Sequence, residues 1–145
     1  MHIIGRADKV DFPEFNLTNI EVKTDTGAFT SSIHCSYVNE SESADGEKYL
    51  EFKLLDPVYH QFTDTVIKTK TYEKKIVKNS FGMSEERFVI KTKIVIFSYE
   101  YPIEFSLSQR EEMKYPILLG RKFLNKKFMV NPSIQNVSFK LKSLK

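Results

Sequence analysis

Apolar and polar residues alternate along most of this chain with a period of two, in short runs rich in β-branched and aromatic side chains. That is the signature of half-buried strands. The runs are "NIEVKT" (19–24), "SIHCSYV" (32–38), "KYLEFKLL" (48–55), "DTVIKTKTYEKKIVK" (64–78) and "RFVIKTKIVIF" (87–97). Turn chemistry separates them: "NESESADGE" with Asp45-Gly46 at its tip, Asp56-Pro57, and "KNSFGMSEE" with Gly82 near its centre. Because the last of these joins two long alternating runs, residues 64–97 are expected to form one projecting hairpin. Helical spacing surfaces once, in "RKFLNKKF" after "YPILLG" (115–120), where Phe123, Leu124 and Phe128 are spaced by one and four. "NPS" (131–133) bounds that helix. The pattern predicts a mostly β, mostly antiparallel architecture, closed or nearly so, with one short helix near the carboxyl end; a sandwich satisfies the same alternation.

Composition narrows the picture. A chain of 145 residues fits a single domain spanning 1–145, long enough to bury roughly 70% of its unfolded surface. With 41% hydrophobic residues, 12 Phe and 7 Tyr, it has the material for a core and is not a disordered chain. No window approaches the roughly 18 apolar residues of a membrane span, and "MHIIGRADKVDFPEF" lacks the apolar centre of a signal peptide. The lone Cys35 has no disulfide partner. A cytoplasmic location with no membrane contact is the expectation. The net charge of +3 gathers in "KTKTYEKKIVK" (68–78) and "KLKSLK" (140–145), which read first as solvated surface and would also suit an acidic ligand. Acids are mixed among the bases throughout, so no nucleic-acid partner is expected.

Ordinary catalytic equipment is missing. His2, His34 and His60 lack the spacing of a zinc pair, and neighbouring His34 and Cys35 on a strand point to opposite faces. There is no "HExxH" and no Gly-rich loop ending in Lys-Ser or Lys-Thr, so neither metal nor nucleotide cofactor is expected. Cys35 as a nucleophile would need a basic partner and partial exposure.

One acid stands apart. In "VKTDTGAFTSS" (22–32), Asp25 follows a strand and precedes a Gly and a row of small polar residues. Alone, Asp-Thr-Gly is a good turn. About 90 residues later, "YPILLGRKFL" places two large apolar residues and a Gly directly before the short helix. The pairing resembles retroviral-type aspartic peptidases, in which a "DTGA" loop and a hydrophobic-hydrophobic-Gly segment pack beneath the catalytic acids. More specifically, "IGRADKVDFPEFNLTNIEVKTDTGAFTSSIHC", "SFGMSEERFVIKT" and "FSLSQREEMKYPILLGRKFL", spanning residues 4 to 124 in order, are similar to the bacterial family catalogued as ATP-dependent zinc proteases, whose fold is retropepsin-like.

The resemblance implies a retropepsin-like closed barrel and an aspartic endopeptidase that trims oligoglutamate tails from a ribosomal protein. Peptide hydrolysis by carboxylates needs two of them, one acting as base on water and one as acid on the carbonyl oxygen. This chain has one Asp-Thr-Gly, so the resemblance implies a homodimer contributing Asp25 twice. It also assigns roles: Thr26 locks the two loops, Gly27 and Ala28 line the substrate path, and Leu118, Leu119 and Gly120 support the Asp25 loop. The hairpin around Gly82 becomes the flap, while Glu86, Arg87 and Arg121 become candidates for substrate carboxylates or for pairing with one another. Retroviral enzymes continue "DTGA" with an Asp that pairs with the Arg after the later Gly. Here Phe29 occupies that position, which leaves Arg121 for a glutamate side chain or another acid such as Glu86. A catalytically silent module that binds acidic peptides or a protein partner is the competing reading.

Overall fold

The computed structural model describes residues 1–78, 81–109 and 114–144. Eleven strands are formed: β1 (His2–Ile4), β2 (Ala7–Phe12), β3 (Leu17–Thr24), β4 (Ser31–Glu42), β5 (Lys48–Leu54), β6 (Ile67–Thr69), β7 (Glu73–Lys78), β8 (Ser84–Ile96), β9 (Tyr99–Ser108), β10 (Ile117–Leu119) and β11 (Phe128–Val130). Two short helices lie near the carboxyl end, α1 (Arg121–Leu124) and α2 (Val137–Ser143).

The order β10-β3-β2-β8-β9-β4 closes on itself because β10 also pairs with β4, giving a six-stranded barrel. Strand β10 is the closing stave. It runs parallel to β3, with Leu119 beside Thr24, and antiparallel to β4, with Leu118 beside Ser32. Alternation points one face of each strand inward, so Phe12, Ile20, Ile33, Ile94, Phe105, Ile117 and Leu119 are fully buried together. The closed barrel decides between the two architectures that the alternation allowed.

Turns sit where their residues dictate. Gly46 has φ +86°, and with Asp45 it closes the β4–β5 hairpin through a Gly46 N–H to Ser43 carbonyl bond of 2.9 Å. Asp56 accepts the Val58 N–H at 3.0 Å, and its carbonyl accepts the Tyr59 N–H, turning the chain after β5.

Three elements depart from the sequence pattern. The run 64–78 is not one strand: Thr69 Oγ1 accepts the Thr71 N–H at 3.0 Å and bends the chain. Its first half therefore pairs with β5 and its second with β8. The flap hairpin is correspondingly shorter than 64–97, pairing Glu73–Lys78 with residues 84–89. Phe128 is not helical either. Lys126 adopts φ +67°, ending α1's turn, and Phe128 starts β11, which pairs parallel with β1. Finally, the basic tail is partly committed, since residues 137–143 form a helix whose Lys142 bonds Asp11 Oδ2 at 2.9 Å and Asn19 Oδ1 at 2.8 Å.

The start of α2 is capped from across the chain. Buried Asp8 accepts the N–H groups of Ser138 (2.9 Å), Phe139 (3.1 Å) and its own neighbour Lys9 (2.8 Å). Burial pushes its carboxyl above the ordinary value, and the three N–H donors oppose this without cancelling it. Asp8→Ala strands those donors and is expected to cost about 2 kcal/mol in denaturant unfolding. Because the folded state raises the Asp8 pKa, its stabilising contribution is fully present at acid pH and is lost as the pH rises through the folded value. The stability advantage of wild type over Asp8→Asn is thus expected to shrink as the pH climbs above about 4.

Candidate active site

Thr24, at the end of β3, hydrogen-bonds through Oγ1 to the carbonyls of Gly5 and Arg6, each at 3.2 Å, which anchors the chain just before it leaves the barrel. The next four residues turn sharply. The Asp25 carbonyl accepts the Ala28 N–H at 3.3 Å, and Asp25 Oδ1 accepts the Gly27 N–H at 3.0 Å, fixing the carboxylate over its own loop. Asp25 and Ala28 are half-buried, and Thr26 and Gly27 are exposed.

Leu119, Gly120 and the start of α1 lie against this loop. The Asp25 N–H donates to the Leu119 carbonyl (2.9 Å), the Arg121 N–H to Ala28 (2.9 Å) and the Lys122 N–H to Phe29 (2.9 Å). Gly120 is extended, with φ −87° and ψ 175°, so its backbone would accept any residue. The constraint is space: a Cβ there would lie 2.6 Å from the Phe29 carbonyl oxygen and 2.8 Å from the Thr30 carbonyl carbon. Leu119 is fully buried, whereas Leu118 is half-buried between its neighbours Lys23 and Ser32. The two segments thus meet across roughly ninety residues of sequence.

Arg121 serves this loop too. Its Nη1 donates to the Thr26 carbonyl at 2.9 Å, and its guanidinium lies 5.9 Å from the centre of the Phe29 ring. Phe29 thus meets Arg121 through its ring face rather than through an ion pair. Arg87 instead pairs with Glu85 on the same strand. Glu86 is exposed and sits opposite Ile76 across the hairpin. At the hairpin turn Gly82 has φ +80°, and a Cβ there would meet nothing within 4 Å, so this end of the flap stands clear of the barrel. The structure therefore joins Asp25, Thr26, Gly27, Ala28, Leu119, Gly120 and Arg121 in one bonded cluster, and carries Gly82, Glu86 and Arg87 on a separate arm.

One member of the cluster was hidden in the row of small polar residues. Buried Ser31 accepts the Gly120 N–H on Oγ at 3.0 Å, tying the two segments together from below. Ser31→Ala leaves that N–H without an acceptor and is expected to cost about 1–2 kcal/mol, measurable by urea unfolding. The other nucleophile considered is inert. Cys35 is fully buried, and burial pushes its thiol up to about 12. Among the described residues, no three His, Cys, Asp or Glu side chains stand together as a metal site, and no helix is long and apolar enough to cross a membrane.

Comparison with known proteins agrees with this geometry. A crystal structure of Lpg0085, a Legionella pneumophila protein of unknown function, superposes with a TM-score of 0.71 at 25% identity, covering 94% of this chain and 98% of that one. Curated relatives named probable alpha-L-glutamate ligase are 34% identical in Desulfotalea psychrophila and 33% identical in Shewanella pealeana, over 92% and 90% of this chain. The chain spans 28% of the length of those relatives. Residues 3–140 match the model of the RimB-like family, described as retropepsin-like aspartic endopeptidase. Barrel, Asp25 loop and glycine-backed support together with this match establish that the chain belongs to the RimB-like, retropepsin-like family.

Proposed function

We propose that the protein is an aspartic endopeptidase that works as a homodimer, with Asp25 of each subunit facing its counterpart across a two-fold axis. The observation that carries this reading is the pinned Asp25 loop. Backbone bonds from Asp25, Arg121 and Lys122 hold it rigidly to β10 and α1, while Thr26 and Gly27 face outward and Phe29 is 51% exposed. A carboxylate on a rigid, outward-facing loop is what a shared site requires.

In such a pair one acid is ionised and the other protonated. The ionised Asp25 takes a proton from water as the water oxygen attacks the peptide carbonyl carbon. The protonated Asp25 gives its proton to the carbonyl oxygen. Collapse of the resulting gem-diol breaks the C–N bond: the leaving amine is protonated by the acid that first acted as base, and the other Asp25, now ionised, takes a hydroxyl proton back as the carboxylic acid forms, which restores the starting pair. Thr26 hydroxyls bond the partner loop, and the β7–β8 hairpin closes over the peptide to exclude water.

The substrate class we propose is an acidic, glutamate-tailed protein such as a tailed ribosomal protein. Support comes from the relatives named glutamate ligases, in which a stretch like this chain occurs, and from the lysines along β7. A second reading, a silent module that binds such tails without cutting, follows from the single Asp-Thr-Gly in the chain. The test incubates wild type with a peptide ending in several glutamates, with and without chelator, alongside mass measurement in solution. Cleavage by a dimer that withstands chelation supports the peptidase. Peptide binding by a monomer with no cleavage supports the module, and loss of cleavage on chelation overturns the carboxylate mechanism.

A further inference from the structure

On the far side of the α1 segment that backs the Asp25 loop, a cavity of about 400 Å³ opens where β7, β8, β9 and α1 converge, lined by Lys75, Lys91, Lys122 and Lys127 around Glu104, with Phe123 in its wall. Glu104 is the hub. Its side chain is only 10% exposed, and its carboxylate binds Lys75 Nζ at 3.0 Å and Lys122 Nζ at 2.7 Å. Lys91 sits directly across from it in the β8–β9 register. Lys127 bonds the Phe123 carbonyl at 2.9 Å, and its Nζ lies 5.0 Å from the centre of that ring. Burial alone would raise the Glu104 carboxyl, but the Lys122 and Lys75 bonds outweigh it and hold it below the ordinary value. A neighbouring cavity shares Lys91 and Glu104 and adds Lys70.

Four ammonium groups stand around Glu104, and Glu73 also pairs with Lys75 at 3.4 Å, leaving a surplus of two positive charges in a concavity walled by buried Ile103 and Phe123. Low-dielectric walls strengthen that field. The cations are all lysines, compact point charges without the planar fork that matches a carboxylate, and such clusters suit a tetrahedral oxyanion carrying several charges. The volume lies within the range of small-ligand sites. We propose that this cavity is a binding site for a compact polyphosphate-type anion, distinct from the Asp25 loop, with Glu104 pre-positioning Lys75 and Lys122 as its cradle. It does not depend on the proposed hydrolysis.

Calorimetric titration of the full chain with inorganic pyrophosphate, at fixed ionic strength, tests it. Saturable binding is expected, weakened at least tenfold in Lys91→Gln/Lys127→Gln and unchanged in Lys48→Gln, whose lysine lies at the start of β5. Glu104→Gln releases Lys75 and Lys122 from their fixed positions and is expected to weaken binding several-fold; if that variant fails to fold, the lysine pair still decides. Absence of saturable binding by wild type overturns the proposal, as does equal binding by the lysine pair variant. Binding of a hexaglutamate peptide at these lysines without binding of pyrophosphate also overturns it, reassigning the cavity to acidic peptides.

Discussion

Asp25→Asn is expected to reduce peptide hydrolysis by about 10³-fold or more while leaving unfolding free energy within about 0.5 kcal/mol of wild type. The separation of the two effects follows from the loop. The Gly27 N–H needs only an oxygen acceptor at 3.0 Å, which an Asn side chain retains, and the backbone bonds to Leu119 and from Arg121 and Lys122 are untouched. What disappears is the group that exchanges protons with water and the carbonyl oxygen. Mixing the variant with an equal amount of wild type sharpens the test. If each site draws one acid from each subunit, random pairing leaves about a quarter of the activity, against about half if each chain works alone. A result near one half, measured after subunits have been allowed to exchange, would sink the shared site.

The second large effect is structural. Gly120→Val places side-chain atoms inside the van der Waals envelope of the Phe29 and Thr30 backbone, 2.6 to 2.9 Å away for the Cβ alone. Flexible side chains yield to such intrusion. Backbone held by the Lys122-to-Phe29 and Arg121-to-Ala28 bonds does not. The strand and the loop must separate, so a cost of about 3 kcal/mol or more is expected, beyond ordinary overpacking because the barrel seam itself opens. Thermal and urea denaturation measure it. Gly82→Val provides the contrast: that Cβ meets nothing, so its cost is confined to the strain of φ +80°.

Much of this was legible in the chain because strand alternation and turn residues are local signals. The Asp45-Gly46 hairpin and the strands on either side of it, or the short helix that starts after Gly120, require no knowledge of distant partners. The divergences all have distant causes. Residues 64–78 read as one β run, and the bend at Thr69–Thr71 declares itself only once β5 and β8 take the two halves. Phe128 fits a helical stripe until β1 offers it an edge. The tail 140–145 reads as solvated charge because the cap of the helix it enters, Asp8, lies some 130 residues earlier. At the site, the pairing of the two motifs was implied by the family resemblance, while the Arg121 contacts with Thr26 and Phe29 were not, since an aromatic in place of an acid carries no sequence mark of a cation–π role.

Strand β10 links covalent order to chemistry. It reaches both β3 and β4 only when the last stave enters the barrel, and the same insertion delivers Leu119 and Gly120 to Asp25. Barrel closure and support of the Asp25 loop are therefore one event, resting on contacts of long sequence separation. Until β10 is seated, the chain carries Asp25 without the segment that holds its loop.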